Sequence, residues 1–471
     1  MNPDIVRWSY AAASGALLAL AFPPYSVWPA AVLAPALLLR AMRRAETPQQ
    51  AGDLGALAGF LFAALSMPWL RFVFGPFAAG LWAFFALGPA LFGVLLKRLQ
   101  GRGDWLWVAA AGVLWAGMEA ARAHLPGLAC PWLSLGYAFA PAGPLLQAAS
   151  VIGLYGLSAA AVAGGAALAL AAEGKRIPAG ALAIVAGLAW GLGERRLELK
   201  PQGRPVSVAL VQDESYDVER LAAMTPRDAE LVVWPEYQAG VPGGMVDRYR
   251  EHLAGLTSGR KGVLVVGAAT VDEQAPFENF AWVLGSDGAL LGRHDKQHPI
   301  PFMEGRLKGH SDPRPVATPL GPVGVQICYD LDFEDGSRRL ASRGARILAV
   351  PNLDPASWGP LQHSQHSGMA PLRAVETGLW VAKAASSGDS MLIDPRGRVT
   401  ARLGFAGRGV ARGTALLSDG GLTPYVAWGW LVVPLSLLAL AAAVADALFG
   451  ALRERAFLVY PPSPLGVEAE S

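Results

Sequence analysis

GVQICYDLDF, residues 324–333, is an apolar run that stops at a cysteine and then turns polar. Its length and its Val and Ile content read as a buried strand of an α/β fold. Cys328 is then either a small core residue, the usual role of a cysteine on such a strand, or a nucleophile held where the strand gives way to a loop. The chain has two cysteines in 471 residues, so it has no disulfide framework. Cys130 lies far away in LPGLACPWLSLGY, and sequence spacing supports no bridge between the two.

The flanking sequence extends the pattern. VSVALVQ (206–212), AELVVWPE (229–236) and GVLVVGAAT (262–270) are further β-branched runs, and GMVDRYREHLAGL (244–256) reads as a helix. NFAWVLGSDGALLGRHDK (279–296) predicts a hairpin around Ser286-Asp287-Gly288, and MLIDPRGRVTARL (391–403) a second around Pro395-Arg396-Gly397. EDGSRRLASRG (334–344) and a stretch near 362–378 read as helices beside the strands ARILAVPN and LWVAKAAS. Such alternation predicts an α/β sandwich over residues 200–420.

The rest of the chain is of another kind. Hydrophobic residues make up 53% and charged residues 16%, against roughly a quarter charged in soluble proteins. Apolar runs fall at 9–22, 26–40, 54–73, 75–96, 105–122, 143–172, 179–193 and 425–450. They predict about eight membrane spans, the first two short. Arg7, then Arg40, Arg43 and Arg44, then Lys97, Arg98 and Arg102, then Lys175 and Arg176, and last Arg453 and Arg455 fall in alternate loops. Arg71, Arg122, Arg195 and Arg196 are exceptions. The positive-inside rule then puts both termini in the cytoplasm and 200–420 outside, which in a bacterium is the periplasm. The competing reading of 1–22 as a signal peptide lacks a small-residue cleavage site. The expected organisation is a membrane domain at 1–199, a catalytic domain at 200–420, and a last span with a cytoplasmic tail at 421–471. A net charge of +2 gives no footprint for nucleic acid.

Three reactive side chains end three strand-like elements: Glu236 after LVVWP, Lys296 after the hairpin, and Cys328. Ligands of α/β folds bind beyond the carboxyl ends of strands. A thiol needs a base to become a nucleophile, and an ammonium beside it favours the thiolate and an oxyanion. Glu, Lys and Cys together suit acyl transfer through a thioester. Singly, each has a plainer reading: a core cysteine, a solvated lysine, a turn-capping glutamate. His294 with His298, and His363 with His366, have spacings compatible with zinc, but the metal-free triad makes a metal unnecessary and none is expected. Glu119 and Arg122, inside a predicted span, read as an ion pair anchoring the bundle.

WPE (234–236), DK-x-H-x-x-PF-x-E (295–304) and CY (328–329) together resemble the nitrilase superfamily. Set among membrane spans, the chain is similar to the apolipoprotein N-acyltransferase family over nearly its whole length. AFPPYSVWPAAVLAPALLL (21–39), PWLSLGYAFA (131–140), GLYGLS (153–158), Asn279, GPLQH (359–363), RAVETG (373–378) and IDPRGR (393–398) match that family. The resemblance implies an α-β-β-α sandwich with a Glu236–Lys296–Cys328 triad and no cofactor. Trp234, Asn279, Glu304, Tyr329 and Asp330 are implied as supporting residues. It also implies a phospholipid acyl donor, a diacylglyceryl-apolipoprotein acceptor and a place in the bacterial inner membrane. A membrane-tethered amidase acting on a small amide or nitrile is the alternative, and a degenerate binding scaffold is a third. The chain departs from the family pattern at Cys-Tyr-Asp in place of Cys-Tyr-Glu, at Trp358 in PNLDPASWG, at KAASSG (383–388), and in a short Lys296-to-Cys328 interval.

Overall fold

The computed structural model describes residues 2–242, 245–270, 277–304, 312–417 and 422–459. The first part is helical: α1 (Pro3–Ala19), α2 (Ala30–Arg43), α3 (Pro48–Ser66), α4 (Leu70–Phe74), α5 (Ala78–Arg98), α6 (Asp104–His124), α7 (Ala149–Ala171) and α8 (Ile177–Glu198). α13 (Pro424–Trp428) and α14 (Val432–Val459) close the described chain.

Among the described residues, four helical stretches are long and apolar enough to cross a membrane: Leu70–Arg98, Leu145–Ala171, Ile177–Glu198 and Pro424–Gly450. This is fewer than the eight spans expected from the apolar runs. Length and polarity explain the difference. α1 and α2 have only 17 and 14 residues. α3 opens on Pro48-Gln49-Gln50 and carries Asp53, and α6 carries Asp104, Glu119 and Arg122. These helices bury much of their surface on their neighbours. A Cβ at Gly55 would lie 2.0 Å from the Pro89 carbonyl oxygen, and one at Gly93 2.2 Å from that of Ala51. α3 and α5 therefore touch backbone to backbone, the small-residue packing that holds helices together in lipid.

The middle of the chain is α/β. In order it runs β1 (Arg204–Gln212), α9 (Val218–Met224), β2 (Leu231–Val233), β3 (Ala239–Val241), α10 (Val246–Thr257), β4 (Val263–Thr270), β5 (Asn279–Leu284), β6 (Leu290–Asp295) and β7 (Val323–Val325). It continues with α11 (Glu334–Ser342), β8 (Ile347–Asn352), α12 (Gly359–Thr377), β9 (Trp380–Ala385), β10 (Ser390–Ile393), β11 (Val399–Leu403) and β12 (Gly409–Leu417). One sheet has the order β12-β1-β2-β4-β5-β6, with β3 also on β4; the other is β11-β10-β9-β8-β7.

Alternation along the strands builds the layers. Val206, Val208 and Leu210 of β1 join Ile347 and Ala349 of β8 in the core between the sheets. Ala209 and Val211 face the other way, onto the layer holding α9 and Leu253 of α10. The second sheet packs its outer face on α11 and α12 through Leu340, Ala370 and Ala374. This is the expected nitrilase-like α-β-β-α arrangement. Two details differ from the sequence reading. β7 ends at Val325, although the Gln326 N–H still donates to Ala349 O at 3.1 Å. β12, which lies antiparallel along all of β1, was not anticipated, because its Gly and Arg content hides the strand pattern.

A buried clasp joins the helices to the sandwich. Arg373 of α12 donates to Leu331 O and Asp332 O, each at 2.9 Å, and pairs with Glu376 and the Tyr137 hydroxyl. Glu376 accepts the Leu154 N–H at 2.7 Å. That N–H is available because Gly153 breaks α7 with φ 65° and ψ −171°, a conformation essentially reserved for glycine. A Cβ there would also lie 2.1 Å from the Tyr425 ring. Gly153→Ala should therefore destabilise the protein by more than the about 1–3 kcal/mol of the backbone strain alone, seen as a lower Tm in detergent. Gly180→Ala, where a Cβ meets nothing within 4 Å, should leave Tm unchanged. Equal Tm values for both variants would contradict this account of the kink.

Candidate active site

The carboxyl ends of β2, β6, β7 and β8 meet at one place. Glu236, past β2, accepts from Lys296 Nζ at 2.8 Å and Asn279 Nδ2 at 2.7 Å on Oε1, and from the Leu353 N–H at 3.0 Å on Oε2. Lys296, past β6 and 1% exposed, also lies 2.9 Å from Glu304 Oε2. Glu304 accepts from Asn279 Nδ2 at 3.0 Å, from the Ile300 N–H at 2.8 Å and from the Tyr237 hydroxyl. One ammonium thus sits between two carboxylates, and Asn279 bridges the same pair.

Cys328 joins this group through a single residue, Leu353. Its thiol donates to Leu353 O at 3.6 Å, while the Leu353 N–H donates to Glu236. Cys328 is 2% exposed and has φ 49°, a left-handed conformation uncommon outside glycine. Asp330 holds this turn. Its fully buried carboxylate accepts from the Ile327 N–H at 3.1 Å on one oxygen, and from Gln297 N–H at 3.0 Å and His298 N–H at 2.7 Å on the other. It therefore ties the residues after Lys296 to the residue before Cys328. His298 and His294 face the same carboxylate at 3.3 and 3.7 Å.

Charge is distributed unequally. Burial pushes the Glu236 carboxyl up, against the pull of Lys296. Burial also opposes ionisation of Glu304, but Lys296 and the Tyr237 hydroxyl outweigh it and hold that carboxyl low. For Lys296, burial is overcome by Glu236 and by the other negative groups, which keep the ammonium protonated. Burial and the Glu236 charge push the Cys328 thiol well above its ordinary value. The resting pair is therefore a neutral thiol beside a poised carboxylate. Asp330 is the opposite case: burial raises its pKa, yet the two histidines outweigh this and hold it well below the usual range.

Two of the expected supporting residues lie apart from this cluster. Trp234 packs in the outer core of the first sheet and donates Nε1–H to Thr225 Oγ1 at 2.9 Å. Tyr329 turns its ring away, edge-on to Phe333, and its hydroxyl donates to Ala129 O at 3.0 Å. Sequence reasoning missed Asp354 and His366. Asp354 accepts from His366 Nδ1 at 2.7 Å, Gln362 at 3.0 Å and Asn352 at 2.6 Å. The available signals were the PNLDPASWG segment and the His363/His366 pair, which the zinc spacing misdirected. Donor atoms of Cys328, Asp354 and His366 lie within 4.8 Å of one another. Burial opposes His366 protonation, but Asp354 and Asp332 overcome it and lift its pKa to about 9. As it stands, His366 and Asp354 form an imidazolium–carboxylate pair beside the thiol. His363 faces elsewhere, 3.0 Å from Pro355 O.

A cavity of about 660 Å³ opens onto Cys328. Trp69, Leu70, Val73 and Phe74 line it from α4 and the residue before it, Phe77 and Leu81 from α5 and the turn before it, and Ile300 to Met303 from the loop after Lys296. Cys130 lines it too, and neither cysteine is bridged. Phe72, Phe77 and Phe302 are exposed at this end of the helices. The walls are almost wholly apolar and run from membrane-type helices to a thiol.

Comparison with known proteins agrees with this architecture. Residues 14–167 match the apolipoprotein N-acyltransferase N-terminal domain, and residues 191–425 match the carbon-nitrogen hydrolase family. The apolipoprotein N-acyltransferase of Nitrosomonas europaea is 30% identical, over 87% of this chain and 90% of that protein. The chain belongs to the apolipoprotein N-acyltransferase family. The Geobacter metallireducens apolipoprotein N-acyltransferase is 29% identical over 86% of this chain and 89% of that one. Among solved structures, a carbon-nitrogen hydrolase from Helicobacter pylori G27 is similar at 18% identity and a TM-score of 0.41, covering 49% of this chain and 94% of that chain. Asp330, where the sequence departs from the expected Cys-Tyr-Glu, takes three N–H groups from two segments.

Two outcomes follow from this geometry. Asp330→Asn puts an amide NH2 against an N–H on one side and removes a charge-assisted acceptor, at a cost of about 1.5–3 kcal/mol. Its Tm should fall and the alignment of Lys296 with Cys328 should be lost; an unchanged Tm would show that the charge is dispensable. In a Cys130→Ala background, alkylation of Cys328 should reach half its maximal rate only above about pH 8.5, the ordinary thiol value, because a raised pKa delays the thiolate to higher pH. Glu236→Gln should move that midpoint down. A midpoint at or below about 8.5 in the parent contradicts the shift.

Proposed function

We propose that this chain moves an acyl chain from a phospholipid, through a thioester on Cys328, to the α-amino group of the diacylglyceryl-cysteine at an apolipoprotein N-terminus. The observation that carries the reading is the apolar cavity leading from membrane-type helices to a thiol flanked by Glu236 and Lys296. A small-amide hydrolase has no use for such walls.

In the first half-reaction Cys328 Sγ attacks the ester carbonyl carbon. As the S–C bond forms, Glu236 takes the thiol proton. The oxyanion is met by Lys296 and by the Tyr329 backbone N–H, donors that act most strongly where water is excluded. Collapse breaks the ester C–O bond, and Glu236 returns the proton to the leaving lysophospholipid oxygen. In the second half-reaction the acceptor amine attacks the thioester carbon and gives its proton to Glu236. The C–S bond breaks, an amide forms, and the proton goes back to Sγ. Glu304 and Asn279 hold Lys296 and Glu236 in register as positioning residues.

The same reading sets the surroundings. Residues 1–199 form the membrane part, with the shorter helices packed among the four long ones. Residues 200–420 face the periplasm, and 421–471 return through the bacterial inner membrane to the cytoplasm. Reporter fusions after residues 172 and 200 should give opposite sides of the membrane; same-side signals would reverse the catalytic domain.

The direct test supplies acyl-labelled phospholipid and a diacylglyceryl-cysteinyl peptide to the purified protein. The expected products are N-acyl peptide and lysophospholipid in equal amounts. Cys328→Ala should make neither while still inserting into membranes. Lys296→Arg should lose at least about a hundredfold in rate, the scale of one misplaced oxyanion donor. Product formation by Cys328→Ala at the parent rate would exclude the thioester route.

A further inference from the structure

Apolar space continues beyond the catalytic cavity. A second cavity of about 240 Å³ lies among α1, α3, α5 and α6. On α5 the catalytic cavity touches Gly80 and Leu81, and the second cavity touches Gly88 and Leu91. Phe84 and Phe85 line both. The two spaces therefore follow one helix end to end and meet at these two rings.

The rings form a wall that is braced on one side. Phe84 and Phe85 meet edge-on, with centroids 6.0 Å apart at 86°. Phe85 is buried, and the Arg122 guanidinium lies 4.4 Å over its face. Arg122 lines only the second cavity. It is fixed there by donating to Trp132 O at 3.1 Å and Ser134 Oγ at 3.3 Å. Arg122, one of the exceptions to the basic-loop pattern, thus has a place as the brace behind the wall.

Helix rise gives the lengths. From Phe77 to Phe85 the path along α5 is about 12 Å, and from Phe77 to Leu91 about 21 Å. The wall at Phe84 and Phe85 therefore stops the path along α5 at little more than half the length it would have through the second cavity.

We infer that Phe84 and Phe85 are the floor of the acyl chamber and set the longest chain that Cys328 accepts from the donor. This rests on the acyl-transfer reading above. From Cys328, a longer chain reaches the second cavity only past these two rings. Nothing in the triad changes with chain length; selection lies in how many methylenes fit between Cys328 and the two rings.

The test is mass spectrometry of Cys328 after exposure to an equimolar series of phosphatidylglycerols that differ only in acyl length. The parent should load chains up to a limit and fall off beyond it. Phe85→Ala should raise loading beyond that limit by about fourfold for each extra methylene accommodated. Adding Gly88→Leu to Phe85→Ala should restore the parent profile by refilling the second cavity. The backbone at Gly88 admits a side chain, since a Cβ there meets only Met118 Cβ, at 4.0 Å, and Gly88 lines the second cavity. Gly88→Leu alone should leave the profile unchanged. Should Phe85→Ala fail to insert, Phe85→Leu reads the same direction with a smaller loss of volume. An unchanged profile in the variant that inserts overturns the inference, as does a shortened profile in Gly88→Leu alone. No thioester on the parent with any chain is a different outcome, and it removes the acyl-transfer reading itself.

Discussion

A protonated lysine with no exposure to water is the constraint around which the sandwich is arranged. Lys296 is buried beside Glu236 and Glu304. An ammonium in such a place is tolerable only with paired, hydrogen-bonded countercharges. Meeting that condition requires four strand ends to converge: β2 brings Glu236, β5 brings Asn279, β6 brings Lys296, and Leu353 after β8 ties Glu236 to Cys328. Removing Lys296 would leave two carboxylates facing each other without a countercharge, so the ammonium is what holds the pair together. Burial and this pairing leave the Glu236 carboxyl raised and the Cys328 thiol neutral.

The site depends on the helices as much as on the sheets. Arg373 grips the carbonyls of Leu331 and Asp332, in the turn that begins at Cys328, and through Tyr137 and Glu376 it reaches the helical domain. Tyr329, next to Cys328, bonds Ala129. The Cys328 turn is therefore suspended between sandwich and bundle. An apolar cavity opening between α4, α5 and the loop after Lys296 is a consequence of this placement, because the bundle supplies one wall and the sandwich the other.

Much of this was legible in the sequence, for a physical reason. Strands buried on both sides read as continuous apolar runs, so LVVWPE and GVQIC marked strand ends where reactive groups collect. Hairpin turns at Ser286-Asp287-Gly288 and Pro395-Arg396-Gly397 were readable from their turn chemistry. Fewer helices than apolar runs are long and apolar enough to cross a membrane, because α1 and α2 are short and α3 and α6 carry polar residues that a run of apolar letters does not weigh. Trp234 lies two residues before Glu236 yet belongs to the outer core: β2 ends at Val233, so strand alternation does not carry through Pro235 to set the two side chains on one face. Asp354 and His366 were invisible as a pair: they meet Cys328 only through the folding of α12 over β8, which no local spacing encodes. Asp330 was visible as a departure from the family pattern, but its role as the tie between two segments needed the geometry.

The central claim is that Cys328 holds an acyl group that water cannot productively reach but a lipid-bound amine can. The most direct test is single-turnover loading of Cys328 from labelled phospholipid, followed by a chase in buffer or in buffer with a diacylglyceryl-cysteinyl peptide. The account predicts a thioester that persists in buffer and discharges rapidly to the peptide as an amide. Equal loss in both chases, with free fatty acid as the product, would contradict it.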